Sequence, residues 1–280
     1  MKDDEYAIHK LPPGRLDDLV EAQREIFSDY MVPITVSREF MDSFMRSVGG
    51  KTENIVVATD DGGIVGFVNP VVDGKEAWIG GLGVAARARR RGIGKRLMAA
   101  AEDIARDGGA EVVLLEVIEG NLQAMSLYAS LGYSKTASYV SAEGLPQQFA
   151  GYGPEPMKAT VDEVRSIHSE AYSEACWQRR KASALVESGG NSEVYRVDRG
   201  FVALRRVGAT GFIPFIGVAP GERRKGIGTS LAKFALNRLW ELGAFKVALY
   251  NVNDDLVTSR MLDKFDFKVT LRQVEMRKAI

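Results

Sequence analysis

The sequence predicts a mixed α/β protein of two tandem domains, each a mostly antiparallel twisted sheet flanked by helices. Three observations support this fold class. The 280 residues suit two domains of ordinary size. Strand-like and helix-like segments alternate in each half, and the second half repeats the first. The predicted domains cover residues 1–145 and 146–280.

The repeat is an alignment of the chain with itself at an offset of 134 residues. It includes the pairs Gly83 and Gly217, Val84 and Val218, Arg89 and Arg223, Gly92 and Gly226, Ile93 and Ile227, Gly94 and Gly228, and Leu97 and Leu231. The register holds for about fifty residues through elements of different type, which chance similarity of arginine-rich runs would not achieve. Each copy is therefore expected to have its own core.

In the first half, turn residues separate three predicted strands at 54–59, 64–71 and 77–84, so these strands should be antiparallel. Helices are predicted before them at 15–27 and 37–47. After a glycine loop, apolar residues recur at helical spacing from Ile93 to Ile104, and Gly108 and Gly109 end that helix. A strand at 111–117 and a helix capped by Asn121 follow. The second half repeats this plan, with an entry segment that suits a linker or first strand.

Composition excludes several classes of function. Lys plus Arg equals Asp plus Glu at 37 each, so no overall field favours nucleic acid. One cysteine and two histidines provide no metal-binding cluster, and we expect no metal. The chain contains no apolar run of membrane-spanning length and begins with an acidic, mixed segment, which predicts a cytoplasmic protein without membrane contact.

The stretch ARARRRGIGKRL, residues 86–97, is predicted to form an anion site. A glycine turn at a helix start leaves backbone N–H groups free and adds the positive end of the helix dipole. Gly92 and Gly94 let a bulky anion approach these amides. A phosphate-binding Walker loop is excluded because Lys95 is followed by Arg96. A dinucleotide fingerprint lacks its third glycine, and a kinase loop lacks its companion motifs.

The loop closely resembles the coenzyme-A loop of the GCN5-related N-acetyltransferase (GNAT) family, which reads Arg or Gln, two residues, Gly, one residue, Gly or Ala. Here it reads RRRGIG from Arg89 to Gly94, and RRKGIG from Arg223 to Gly228. The resemblance covers nearly the whole chain as two GNAT-like copies, supported by NLQAMSLYASLGY downstream. It implies acetyl-CoA as co-substrate, with its pyrophosphate on the loop amides and its pantetheine arm on GGLGV, residues 80–84. The implied coenzyme-binding residues are Leu82, Gly83, Val84, Arg89, Arg90, Arg91, Gly92, Ile93, Gly94, Lys95 and Asn121. We expect one or two arginines to meet phosphates and the others to be solvated or paired.

The resemblance also implies a catalytic tyrosine, because family members often use one in the last helix to protonate the leaving thiolate. Tyr128 matches that position, although a packing role is the alternative. Glu116 lies twelve residues earlier, a spacing also found in family members that acetylate ribosomal-protein amino termini. It is our candidate base, with Glu119 and Glu76 as weaker alternatives and a solvated glutamate equally compatible.

The second copy keeps the loop but places Leu262 at the position of Tyr128 and Asp255 at that of Asn121. Leucine cannot donate a proton, so we assign catalysis to the first half. A second coenzyme site is possible at Val218, Arg223, Arg224, Gly226 and Gly228. Two other readings stay open: a coenzyme-A-binding regulator without catalysis, and catalysis by the second copy.

The acceptor is expected to be a primary amine of a small molecule or peptide. Residues 26–44 could line its pocket, with Asp29, Tyr30 and Pro33 between two helices, although the aromatic residues there also suit packing. The sequence does not distinguish a polyamine, an aminoglycoside, an amino acid or a protein amino terminus. It is compatible with a monomer or a homodimer.

Overall fold

A computed structural model describes residues 6–34, 36–189 and 192–280. The helices are α1 (Leu16–Ile26), α2 (Arg38–Val48), α3 (Ile93–Asp107), α4 (Leu122–Ser130), α5 (Val161–Ala171), α6 (Trp177–Arg180), α7 (Ala182–Gly189), α8 (Ile227–Glu241) and α9 (Leu256–Lys264). The strands are β1 (Ala7–Lys10), β2 (Val56–Asp60), β3 (Gly63–Asp73), β4 (Glu76–Val84), β5 (Val112–Ile118), β6 (Ser134–Gly144), β7 (Met157–Lys158), β8 (Glu193–Val197), β9 (Gly200–Val207), β10 (Thr210–Val218), β11 (Lys246–Asn253) and β12 (Lys268–Ala279). The predicted mixed α/β class is confirmed.

The chain folds into two compact units whose limits differ from a simple cut near residue 145. The first unit comprises Met1–Thr136 and Val274–Ile280, and the second comprises Ala137–Gln273. The difference has a topological reason. Most of β6 follows the first half in sequence but serves the second unit, whereas the last residues of β12 serve the first.

In the first unit, β1 to β4 form an antiparallel meander, and β5 runs parallel to β4. The end of β12 lies beside β5. Apolar residues of α3 recur on one face and pack against this sheet, as their helical spacing predicts. They are Ile93, Leu97, Met98, Ala101 and Ala105, and all are buried.

A buried carboxylate anchors the returning C-terminal segment in the first unit. Glu102, on α3, accepts hydrogen bonds from the Tyr133 hydroxyl at 3.1 Å and from Lys278 Nζ at 2.7 Å. Buried charges are tolerated when they are paired in this way. The Ile280 amide also donates to the carbonyl oxygen of Glu111 at 3.0 Å. These contacts attach residues 274–280 to the first half of the chain.

In the second unit, β7 to β10 are antiparallel, β11 runs parallel to β10, and β6 pairs antiparallel with β11. Helix α8 packs its apolar face on this sheet. The entry segment GYGPEPMKAT, residues 151–160, which suits a linker or first strand, contains β7, and three helices follow it. The first of these, α5, starts with a capping box between Thr160 and Glu163.

His168 on α5 lies at the centre of an aromatic cluster in the second unit. Its ring stacks on Tyr172 at 5.0 Å and meets Phe215 edge-on at 5.1 Å. Its Nε2 lies 2.8 Å from the carbonyl oxygen of Arg179. A carbonyl can only accept, so Nε2 carries the proton and the neutral ring is the form that fits. Burial, together with the charges of Arg179 and Arg165, lowers the pKa of His168 to about 4.

This lowered pKa predicts acid sensitivity of the second unit. The unfolded histidine has an ordinary pKa near 6.5, so between about pH 6.5 and pH 4 the unfolded state binds more protons than the folded state. The free energy of unfolding should therefore decrease as pH falls through this window, by about 3 kcal/mol at pH 4. Urea denaturation of the wild type and of His168→Gln at several pH values measures the effect. As pH falls, the free energy of unfolding should decrease more for the wild type than for the variant. An equal pH dependence in the two proteins would contradict the lowered pKa of His168.

Candidate active site

The candidate site starts where two parallel strands of the first unit separate. The β4–β5 pairing begins at Glu76 and Val112 and ends at Ile79 and Leu115, although both strands continue beyond it. The last residues of β4 therefore keep β3 on one side and face a gap on the other. Backbone groups that point into this gap are available to a ligand.

The alternation of antiparallel hydrogen bonds identifies which groups point there. The Ala85 amide donates to the carbonyl oxygen of Val65, so Gly83, two residues earlier, also bonds to β3. Leu82 and Val84 consequently direct their N–H and C=O groups away from β3. Arg89 Nε donates to the Val84 carbonyl oxygen at 2.9 Å. No side chain of residues 6–34, 36–189 and 192–280 bonds to the Leu82 backbone, which stays open to the gap.

The glycine loop leads from β4 into α3 as predicted. Arg90 and Gly92 have φ values of 62° and 78°, a left-handed conformation that favours glycine. Gly92 is the N-cap residue, and the Arg96 amide is the first to find an acceptor in the helix, the Gly92 carbonyl oxygen. The amides of Ile93, Gly94 and Lys95 therefore lack an intrahelical partner and form an anion-binding terminus.

The arginines around this loop are mostly occupied by the protein itself. Arg89 makes a bidentate ion pair with Asp29, at 2.6 and 2.7 Å. This pair lowers the pKa of Asp29 and fixes the loop on the segment that follows α1. Arg87 pairs with Glu25 and Asp60, as the paired alternative predicts. Arg89 thus positions the loop instead of presenting a free charge to phosphate.

Some of the other basic side chains of the loop contact the protein itself, and others are available to contact a ligand. The Arg91 guanidinium lies 5.7 Å from the Tyr6 ring centre, and Arg96 donates to the Tyr6 carbonyl oxygen at 3.0 Å. Arg90 and Lys95 are exposed, and in the described part of the chain neither has an ion-pair partner. These two are the cations of the loop that a phosphate could recruit without breaking an existing pair.

Tyr128 lies on α4, which begins after Asn121 as the sequence predicts. It is buried, and its ring lies 6.0 Å from that of Tyr133 in an edge-on arrangement. Burial, with a smaller effect of the Tyr30 hydroxyl, raises its pKa well above the ordinary value near 10. The phenol is therefore a protonated donor at neutral pH.

Glu116 lies on β5 immediately beyond the last pair with β4. The indole Nε1 of Trp78 donates a hydrogen bond to Glu116 Oε2. Trp78 is buried and lies 6.0 Å, ring to ring, from Phe44 on α2. The carboxylate is thus held against an aromatic wall at the gap. Nothing in the strand pattern distinguishes Trp78 from a core residue, so its contact with Glu116 is not predictable from the sequence.

Asn121 has a structural function in addition to its predicted place near the coenzyme. Its side-chain oxygen accepts from the Ala124 amide at 3.1 Å and caps α4. A hydrogen bond with the Asn121 side chain partly offsets the increase in the pKa of Tyr30 that burial causes. Tyr30 also contacts Phe27, with ring centres 5.4 Å apart. Asn121 therefore links α4 to the segment that follows α1.

The second unit repeats the loop but differs in the side chains around it. Arg224 and Gly226 have φ values of 65° and 86°, close to their counterparts. Arg223 Nε donates to the Val218 carbonyl oxygen at 3.1 Å, as Arg89 does to Val84. Leu262 is buried at the position of Tyr128. The two units thus share the shape of the loop, but they differ in the residue at the position of Tyr128.

Two absences concern only the described residues. No group of three or more His, Cys, Asp or Glu side chains is placed to hold a metal ion there. Within the same ranges, no helix has the length and apolarity needed to cross a membrane.

Both units thus combine a parallel strand pair with a left-handed glycine loop at a helix N-terminus, which defines a tandem α/β fold with an anion-binding loop in each copy. The profile of the acetyltransferase (GNAT) family matches residues 16–133 and 160–267. The chain therefore belongs to the GNAT family, in two copies.

Individual relatives agree with this assignment. An uncharacterized N-acetyltransferase of Bacillus subtilis is 34% identical over 92 residues, 31% of this chain and 62% of the relative. This chain thus spans less than two thirds of that relative's length. A GCN5-related N-acetyltransferase from Sphaerobacter thermophilus has a TM-score of 0.73 at 15% identity, covering 99% of this chain and 96% of that one. A tandem GNAT protein from the clavulanic acid biosynthesis pathway has a TM-score of 0.69 at 18% identity, covering 98% of each chain.

Proposed function

We propose that this protein is an acetyl-CoA-dependent N-acetyltransferase whose first unit transfers an acetyl group to a primary amine of a small molecule or peptide. The observation that supports it most directly is the open backbone of Leu82 beside the free amides of α3. An extended arm with amide groups can pair with the strand, while its phosphates meet the helix N-terminus. The same coenzyme would thereby span the gap between β4 and β5.

The predicted coenzyme residues then have different roles. The amides of Ile93, Gly94 and Lys95 would hold the pyrophosphate, and Leu82 would pair with the pantetheine arm. The exposed side chains of Arg90 and Lys95 would meet further phosphate charge. The Val84 carbonyl oxygen and the Arg89 side chain would fix the loop, and the Asn121 side chain would fix α4. These polar groups would not contact the coenzyme.

The chemistry requires a nucleophilic amine and a proton for the leaving thiolate. The amine nitrogen attacks the thioester carbonyl carbon, forming the C–N bond as the C–S bond breaks. Tyr128 gives its hydroxyl proton to the thiolate, since its phenol is protonated at neutral pH. Glu116 takes a proton from the attacking amine, directly or through water. The proton lost by the amine balances the one gained by sulfur once the tyrosine is reprotonated.

An amine acceptor suits the wall on the Glu116 side of the gap. Trp78 holds the carboxylate, and Phe44 and Phe40 extend the aromatic surface, with ring centres 6.1 Å apart. A carboxylate among aromatic rings attracts a cationic ammonium group, which must lose a proton before it attacks. This wall supports an amine over a hydroxyl acceptor.

A screen of primary amines with acetyl-CoA and a thiol-detecting reagent tests the proposal. Polyamines, aminoglycosides, amino acids and short peptides should be included, with coenzyme binding measured in parallel by calorimetry. Acceptor-dependent thiol release is the expected result. Tight coenzyme binding without release for any acceptor would instead indicate a coenzyme-A-binding regulator, and absence of binding would contradict both.

A further inference from the structure

In the second unit, the gap between the parallel strands contains the protein's own side chains. The β10–β11 pairing ends at Phe212 and Ala248, as the equivalent pairing does in the first unit. The Ala219 amide donates to the Arg199 carbonyl oxygen, so Ile216 directs its N–H and C=O away from β9 and into the gap. Ile216 is the counterpart of Leu82 at the offset of 134 residues.

The backbone of Ile216 is already satisfied by Tyr172, at the end of α5. The Tyr172 hydroxyl donates to the Ile216 carbonyl oxygen at 2.9 Å and accepts from the Ile216 amide at 2.9 Å. It also accepts from Arg179 Nη2 at 3.2 Å. A phenol has one proton and two lone pairs, so these three bonds use its full capacity. Nothing of this hydroxyl remains for another partner.

Arg179 extends this contact across the gap. Its Nη1 donates to the carbonyl oxygen of Tyr250, on β11, at 2.7 Å. The guanidinium lies 5.2 Å from the Tyr172 ring and 5.3 Å from that of Phe215, and the residue is only 7% exposed. His168 donates to the Arg179 carbonyl oxygen. A continuous hydrogen-bonded bridge therefore joins β10 to β11 at the place where they separate.

The first unit offers a direct comparison, because Phe27 occupies the place of Tyr172. A Cβ at Gly83 would lie 2.4 Å from Ile26, 3.2 Å from Phe67 and 3.4 Å from Phe27. At the equivalent Gly217, a Cβ would lie 3.0 Å from each of Ala171, Phe201 and Tyr172. The neighbours of the two glycines correspond one to one: Ile26 to Ala171, Phe67 to Phe201, and Phe27 to Tyr172. Phe27 lacks the hydroxyl, and the Leu82 groups therefore remain open.

We infer that Tyr172 and Arg179 occupy the place of the pantetheine arm in the second unit, so that this unit holds its loop in the binding shape without binding coenzyme A. One hydroxyl, present on Tyr172 and missing on Phe27, decides which copy is open. The inference rests on the proposed function for the location of the pantetheine arm. The hydroxyl contact itself does not depend on it.

Residue-resolved hydrogen exchange tests the contact without any ligand. In Tyr172→Phe, the Ile216 amide loses its acceptor and should exchange at least about tenfold faster. Gly217 bonds to β9 and provides an internal control whose exchange should stay unchanged. Unchanged exchange at Ile216 in a variant that retains wild-type secondary structure would overturn the inference, whatever the protein does with coenzyme A.

Calorimetric titration with coenzyme A tests the functional part. The wild type should bind one molecule per chain. Phe27→Tyr should weaken this binding at least about tenfold, because the new hydroxyl competes for the Leu82 backbone. Phe245→Tyr is the matched control, since Phe245 is 78% exposed in the second unit. Two molecules per chain, or unchanged affinity in Phe27→Tyr, would overturn the inference. No binding at all would contradict the proposed function, and hydrogen exchange would still decide the contact.

Discussion

Replacing Tyr128 with phenylalanine is expected to lower turnover about 10²-fold or more while coenzyme affinity stays close to the wild-type value. The variant keeps the ring and its packing against Tyr133, and it removes only the hydroxyl that we propose protonates the leaving thiolate. Because this position is buried, solvent is a poor replacement donor. Steady-state kinetics with saturating acceptor, together with calorimetric coenzyme titration, measures both quantities.

Tyr133→Phe is the matched control, because its ring lies 6.0 Å from that of Tyr128 but its hydroxyl donates to Glu102. Tyr133→Phe should lower the free energy of unfolding but leave turnover close to the wild-type value. Wild-type turnover in Tyr128→Phe would remove Tyr128 from the mechanism.

Glu116→Gln tests the proposed base. Loss of a base should make turnover depend more steeply on pH, since only the uncharged fraction of the amine then reacts.

Replacing Gly94 with tryptophan is expected to abolish coenzyme binding, with an increase in Kd of at least about 100-fold, or about 3 kcal/mol. A Cβ at Gly94 would lie 3.2 Å from Leu127 Cδ2 on α4. A side chain at this position therefore starts between the two helices and must cover the amides of the first turn of α3. Calorimetric titration measures the loss, and circular dichroism checks that the fold is retained.

Gly228→Trp places the same substitution on the second loop, where a Cβ would lie 3.7 Å from Val218 Cγ2. It should bind coenzyme A with wild-type affinity if only the first unit binds it. Loss of binding in Gly228→Trp but not in Gly94→Trp would transfer the coenzyme site, and with it the candidate chemistry, to the second copy.

The sequence predicted the features that depend on local pattern. The glycine turn before α3, the start of α3 and the Asn121 cap follow from glycine freedom and capping preferences, which act over a few residues. The repeat also predicted that both loops have one shape. The roles of Tyr128 and Glu116 remain predictions, now with a buried phenol and an indole-bound carboxylate as their surroundings.

Features that depend on distant contacts were not predictable in this way. The partner of Arg89 is Asp29, sixty positions earlier, and no local pattern distinguishes this pair from solvated charges. The contact between Tyr172 and Ile216 spans 44 positions. It falls in a stretch where the 134-residue alignment no longer holds, because the equivalent of Phe27 is shifted to an offset of 145. A second alignment around the first helix of each copy would have revealed the change from Phe to Tyr.

The exchange of terminal strands has a consequence for how the chain is made. Residues 1–136 leave the ribosome long before 274–280, which Lys278 and Ile280 attach to Glu102 and Glu111. The second unit, 137–273, is synthesised in one piece and can close first, although it is encoded later. The half that carries the candidate catalytic groups is therefore completed later than the second unit during translation, and synthesis of residues 1–136 alone would leave its sheet without the strand that residues 274–280 supply.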